Sequence, residues 1–123
     1  MKIALDASSL AGPTDSFART VAGLARGLAA AGHHPLLVAE DPDALERDAV
    51  PGTGMRPTEA LGDAACFWSP RMEVPPGLAL PMVATVHDVQ PLLGDGRSGL
   101  QRRLRSMRFR IRARRCSRAA SLI

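Results

Sequence analysis

Apolar residues in this chain gather in short unbroken runs and do not alternate with polar ones. Lys2–Asp6 (KIALD), Pro35–Ala39 (PLLVA), Ala64–Trp68 (AACFW) and the stretch from Met82 to Val86, broken only by Thr85, share this form. An unbroken run suits a strand buried on both faces, as in a parallel sheet with helices on either side. Met55–Pro57 predicts a short further strand, and Ala119–Ile123 begins one more. Helical spacing appears between these runs. Phe17, Val21, Leu24 and Leu28 form one apolar stripe, continued by Ala29-Ala30-Ala31, with Asp15 or Ser16 as N-cap and Gly32 as the stop. Thr58 to Asp63 predicts a brief helix capped by Thr58. Leu100 to Arg118 predicts a long one, along which Leu100, Leu104, Met107 and Ile111 keep helical spacing. Glu40–Gly54 reads as a loop with one helical turn at Ala44–Arg47; Pro75-Pro76-Gly77 is a turn and Gly94–Gly99 a loop. Strand, loop, helix and strand in this order predict a right-handed βαβ crossover and an α/β fold with a parallel sheet.

Sheets of this kind bind ligands just beyond the carboxyl ends of their strands. The run through Val86 ends abruptly on His87 and Asp88, so that pair stands where a catalytic or ligand-contacting group belongs; the plainer reading is a strand cap. At 123 residues the chain is long enough for one domain with a single core. Aromatics are scarce, so the core must be built from Ala, Val, Leu and Ile. No apolar run reaches the ~20 residues of a membrane span, and the acid at Asp6 comes too early for a secretory signal. Cys66 and Cys116 stand far apart, with no Cys or His at metal-ligand spacing, and fit reduced thiols in a cytoplasmic protein.

Four features line up in order and spacing. They are Lys2–Asp6 running into a loop, a helix ending in Ala-Ala-Gly-His, the strand end Phe67-Trp68-Ser69-Pro70, and Val83-Ala84-Thr85-Val86-His87-Asp88. Together they resemble the amino-terminal lobe of glycosyltransferase family 4, the retaining sugar transferases of GT-B fold, over nearly the whole chain. The resemblance implies a doubly wound, Rossmann-like parallel sheet forming one incomplete lobe, without its carboxyl-terminal donor-binding lobe. It implies transfer of a sugar from a nucleotide-sugar donor to an acceptor, with no metal and no other cofactor. His87 matches the histidine that faces the donor sugar, where a polar group on a rigid strand end can support charge at the leaving group. Asp88 organises the adjoining loop. Asp6 and the segment through Gly12, Ser16 and Arg19 match the part that approaches the donor phosphates. The family's Gly-Ile-Gly-Arg-Tyr pattern corresponds here to Ser16-Phe17-Ala18-Arg19-Thr20, which keeps the arginine and neither glycine. That departure leaves a non-catalytic interaction lobe as the alternative function.

The net charge of +4 conceals a division. Residues 1–96 carry six basic side chains and all twelve acids, a balance of −6, whereas residues 97–123 carry ten arginines and no acid. The helix spanning Arg102–Arg118 has three readings: a solvated face around an apolar seam, peripheral attachment to an anionic membrane surface, or nucleic-acid binding. With no aromatic interleaving beyond Phe109, no nucleic-acid partner is expected. Ser121-Leu122-Ile123 opens an apolar run at the last residues, which predicts a fragment of a longer protein.

Overall fold

The computed structural model describes residues 1–13, 15–45, 50–60, 62–85 and 99–122. Its elements are β1 (Lys2–Asp6), α1 (Ser16–Ala30), β2 (His34–Val38), β3 (Thr53–Met55), α2 (Pro57–Ala60), β4 (Cys66–Ser69), β5 (Met82–Ala84), α3 (Gly99–Ala119) and β6 (Ala120–Leu122). Short 3-10 turns occupy Ser8–Ala11 and Pro42–Ala44. The six strands form one sheet in the order β3-β2-β1-β4-β5-β6, and every neighbouring pair is parallel. This is the α/β class that the unbroken apolar runs predict.

The runs lack alternation because both faces of the sheet are covered. Ile3, Leu5, Leu37 and Trp68 point to one side, where Ala18, Val21 and Ala25 of α1 meet them. Ala4, Leu36, Val38, Phe67, Met82 and Ala84 point to the other, packed with Ala60 of α2 and Cys116 of α3. Successive strand residues therefore fill two different cores, as the pleat requires. Cys116 is buried; loss of water around it pushes its thiol up from the ordinary range, and its Sγ donates to the Met72 carbonyl at 3.3 Å. Cys66 is half-buried, and both cysteines are free.

The ends of α1 follow from their residues. The Asp15 carboxylate accepts from the Ala18 N–H at 2.8 Å, which makes Asp15 the N-cap. At the other end Gly32, at φ +79°, donates to the Ala29 carbonyl while His33 donates to Leu28, the paired bonds of a Schellman stop. The expected stripe holds in part, since Val21 is fully buried and Leu24 and Leu28 pack against the first core. Alanines 18, 22 and 25 join Val21 against the sheet, while Leu24 and Leu28 are only partly covered and Phe17 lies at the margin.

Two boundaries also move. The third strand is Thr53–Met55, not Met55–Pro57, because Pro57 opens α2; a proline suits the first turn of a helix, where its missing N–H has no partner to lose. Thr58 lies inside that helix and does not cap it; Glu59 instead accepts from the Arg56 N–H at 3.2 Å. A 3-10 turn stands at Pro42–Ala44, overlapping the expected Ala44–Arg47 at its first residue and held by the Asp41 carboxylate accepting from the Asp43 N–H. Of the expected turn, Glu46 and Arg47 lie outside the described residues.

On α3 the apolar line that keeps helical spacing faces away from the sheet. Leu100, Leu104, Met107 and Ile111 are all exposed, and the helix packs through Phe109 and Cys116 instead. Position 52 requires glycine for two reasons. Its φ is +138°, and a Cβ there would stand 2.8 Å from the Pro35 carbonyl oxygen. Gly52→Ala is expected to lower stability by about 1–3 kcal/mol, read as a fall in the midpoint of urea unfolding.

Candidate functional site

The strand order reverses between β1 and β4, whose carboxyl ends lie side by side. Ligands of open α/β sheets bind at such a switch point. Register decides which residues meet there. Leu5 pairs with Trp68, so the next residues along, Asp6 and Ser69, stand side by side. The Ser69 hydroxyl donates to Asp6 Oδ2 at 3.3 Å. The other carboxylate oxygen accepts from the Ser8 N–H at 3.2 Å and from the Ser8 hydroxyl, which folds the loop after β1 back over its own strand end.

Ser69 is fully buried and its hydroxyl is saturated. Besides donating to Asp6 it accepts from the Glu73 N–H at 3.1 Å and from the Arg71 N–H at 3.4 Å. Both N–H groups can turn toward one oxygen because Met72 between them adopts φ +54°, a left-handed conformation that a non-glycine residue takes only under constraint. The constraint is visible: the Met72 side chain is buried in the second core, and its carbonyl accepts from Cys116. Strained backbone of this kind gathers at functional sites, where the surrounding packing over-determines it.

Arg71 reaches from this turn to the start of α1. Its guanidinium lies 4.9 Å from the centre of the Phe17 ring and 3.6 Å from the Asp15 carboxylate. The helix start is thus already occupied by an anion, the Asp15 side chain, with Arg71 as its counter-charge.

Two cavities open beside these groups. One, of about 270 Å³, lies over the ends of β1 and β2 and is lined by Asp6, Ser8, Glu40, Glu73 and Pro75 among others. The other, of about 390 Å³, has an apolar floor of Leu10, Ala18 and Val50, with Gly12, Arg19 and Arg26 around it. Of the residues singled out from sequence, Gly12 and Arg19 come together at the larger cavity and Asp6 lines the smaller. Ser16 is exposed in the first turn of α1, where its carbonyl accepts from the Thr20 hydroxyl. Gly12 is extended at φ −135°, and a Cβ there would meet nothing within 4 Å, so neither backbone nor packing demands glycine. His87 and Asp88 lie outside the described residues. The chain toward them is described as far as Thr85, which donates its N–H to the Ser69 carbonyl at 3.1 Å and accepts from Trp68 Nε1 at 3.0 Å. Trp68 is thereby a core residue with its one polar atom satisfied.

Sequence reasoning missed Ser69 and Arg71 as parts of the site. The signals for Ser69 were its place at the end of an apolar run and in the Phe67-Trp68-Ser69-Pro70 strand end, and the bonds that single it out as a site residue lie outside any local pattern. Among the described residues no group of three His, Cys, Asp or Glu side chains could hold a metal ion, and no helix is long and apolar enough to cross a membrane. Compared with protein-family models, curated proteins and solved structures, the chain matches none of them. What the geometry defines is an α/β protein whose polar side chains converge at the reversal between β1 and β4.

Ser69→Ala removes a fully buried hydroxyl and leaves two backbone N–H groups without their acceptor. It is expected to cost about 1–3 kcal/mol in thermal or urea unfolding, well above the change for Thr20→Ala, an exposed hydroxyl serving one carbonyl.

Proposed function

We propose that this chain is the acceptor-side, Rossmann-like lobe of a retaining glycosyltransferase of GT-B fold, acting in the cytoplasm on a nucleotide-sugar donor. The observation that carries the reading is the meeting of the β1 and β4 ends, where Ser69 bonds to Asp6, beside a cavity lined by Asp6 and Ser8. This supports the role that the sequence resemblance gives to the loop after β1. The strand order fits one doubly wound lobe. Cavities holding Gly12 and Arg19 on one flank and Asp6 on the other offer room for an acceptor and for an anionic group beside Arg19.

In this reading the lobe shapes the acceptor side, and a second lobe supplies most of the nucleotide site. His87 supports charge developing as the sugar–phosphate bond breaks, Asp88 orders the loop that carries it, and Arg19 contacts an anion. No metal or resident cofactor takes part. The alternative, an interaction lobe without catalysis, draws on one observation: the Asp15 carboxylate already takes the Ala18 N–H, one of those that a donor phosphate would use at the start of α1.

The two readings part in a transfer assay. With the complete protein and a panel of nucleotide sugars, product should form, and His87→Ala should lower turnover about a hundredfold, the scale of one lost stabilising group. Residues 1–123 alone should transfer nothing. Unchanged turnover in His87→Ala would overturn the catalytic assignment, and absence of any product from the complete protein would favour the interaction lobe.

A further inference from the structure

Helix α3 carries two apolar faces. Ser106, Phe109, Ala113 and Cys116 face the sheet, each buried or partly so. Leu100, Leu104, Met107 and Ile111 form a second line, offset from the first by two residues, as Met107 is from Phe109. Two residues of an α-helix turn through about 200°, so the second line points almost directly away from the protein. Its exposures follow: Leu100 is 70% exposed, Leu104 47%, Met107 58% and Ile111 41%. The ridge runs for about 17 Å along the helix, at 1.5 Å per residue. Arg103 and Arg110 flank it on one side and Arg108 on the other, all exposed, and residues 97–123 contain no acid.

We infer that this outward ridge docks the protein on an anionic lipid surface, its four apolar side chains entering the acyl boundary and the flanking guanidinium groups holding lipid phosphates. A helix lying in the interface combines such an apolar line with a cationic margin. Arginine forms paired hydrogen bonds to phosphate, and its apolar stem tolerates the boundary region. Other occupants fit less well. A second copy of the helix would bring arginine against arginine. A helical partner needs a seam sustained over several heptads, but this one ends after four positions, because its next places in the heptad are Arg114 and Arg118. Nucleic acid would use the arginines and leave the apolar ridge idle, and Phe109, the aromatic that could stack on a base, packs against the core instead. The inference stands on α3 alone and does not depend on sugar transfer.

Vesicle co-sedimentation of the full 123-residue chain tests it, with phosphatidylcholine alone and with phosphatidylcholine mixed with phosphatidylglycerol. Binding is expected only to the mixed vesicles and should weaken with salt. Changing Leu100, Leu104, Met107 and Ile111 together to Gln should reduce partitioning at least about tenfold while circular dichroism keeps its helix signal. Should that variant misfold, Leu100→Gln with Met107→Gln, at the two most exposed positions, decides the question in the same way. Equal binding to both vesicle types, or equal binding by the Gln variants, overturns the inference. So does tighter association with a DNA duplex that is indifferent to the ridge, which would assign the helix to nucleic acid.

Discussion

Strand β1 is hydrogen-bonded on both edges and covered on both faces, and the placement of every other element refers to it. Its pairing with β2 and β4 fixes two registers at once. A shift of one residue in either would set residues of opposite faces beside one another, and a shift against β4 would also separate Asp6 from Ser69. The same constraint places the site, because ligands of open α/β sheets bind where the strand order reverses. Core packing and site geometry are therefore one requirement. The alternation that fills two cores also delivers a carboxylate and a hydroxyl to adjacent strand ends.

What happens at those ends is settled by competition for a few polar groups. Asp6 spends one oxygen on Ser8 and the other on Ser69; Ser69 spends its lone pairs on two backbone N–H groups. Met72 keeps an unfavourable left-handed backbone because its side chain and its carbonyl are both tied to the second core. Burial of Cys116 keeps that thiol protonated and able to donate to the Met72 carbonyl. A helix on one side of the sheet is in this way coupled to the turn after β4, and through Arg71 to the cap of α1 on the other side.

The elements that sequence could show are those decided by local chemistry. Asp15 and Gly32 marked both ends of α1, and the unbroken runs marked the strands of the sheet to within a few residues. Periodicity was incomplete where two solutions share one spacing. On α1 it found Val21, Leu24 and Leu28, which do pack on the first core, and missed Ala18 and Ala25 beside them. On α3 it found a true apolar line and assigned it no direction; the weaker line through Ser106, Ala113 and Cys116 is the one that packs. Asp6 was legible as a polar residue at a strand end. Ser69 and Arg71 were not, since their importance lies in partners brought near only by the register of β1 against β4 and by the positive φ of Met72.

The division of charge along the chain can now be set against the forces that hold α3. Its attachment rests on Phe109 and Cys116 in the second core and on pairing of the following β6 with β5. The Arg112–Glu73 ion pair, 3.4 Å across with both side chains about half exposed, adds little, since solvated pairs contribute roughly 0–1 kcal/mol. Ten arginines without an acid among them repel one another, and a fold needing only a helix at this position would be served better by mixed charges. A helix so rich in arginine and without an acid of its own, with leucine, methionine and isoleucine facing solvent, is disfavoured both by charge repulsion and by exposed apolar area. Both costs fall when the same face meets an anionic surface with an apolar interior, and a partner supplying only one of these properties relieves only one of them.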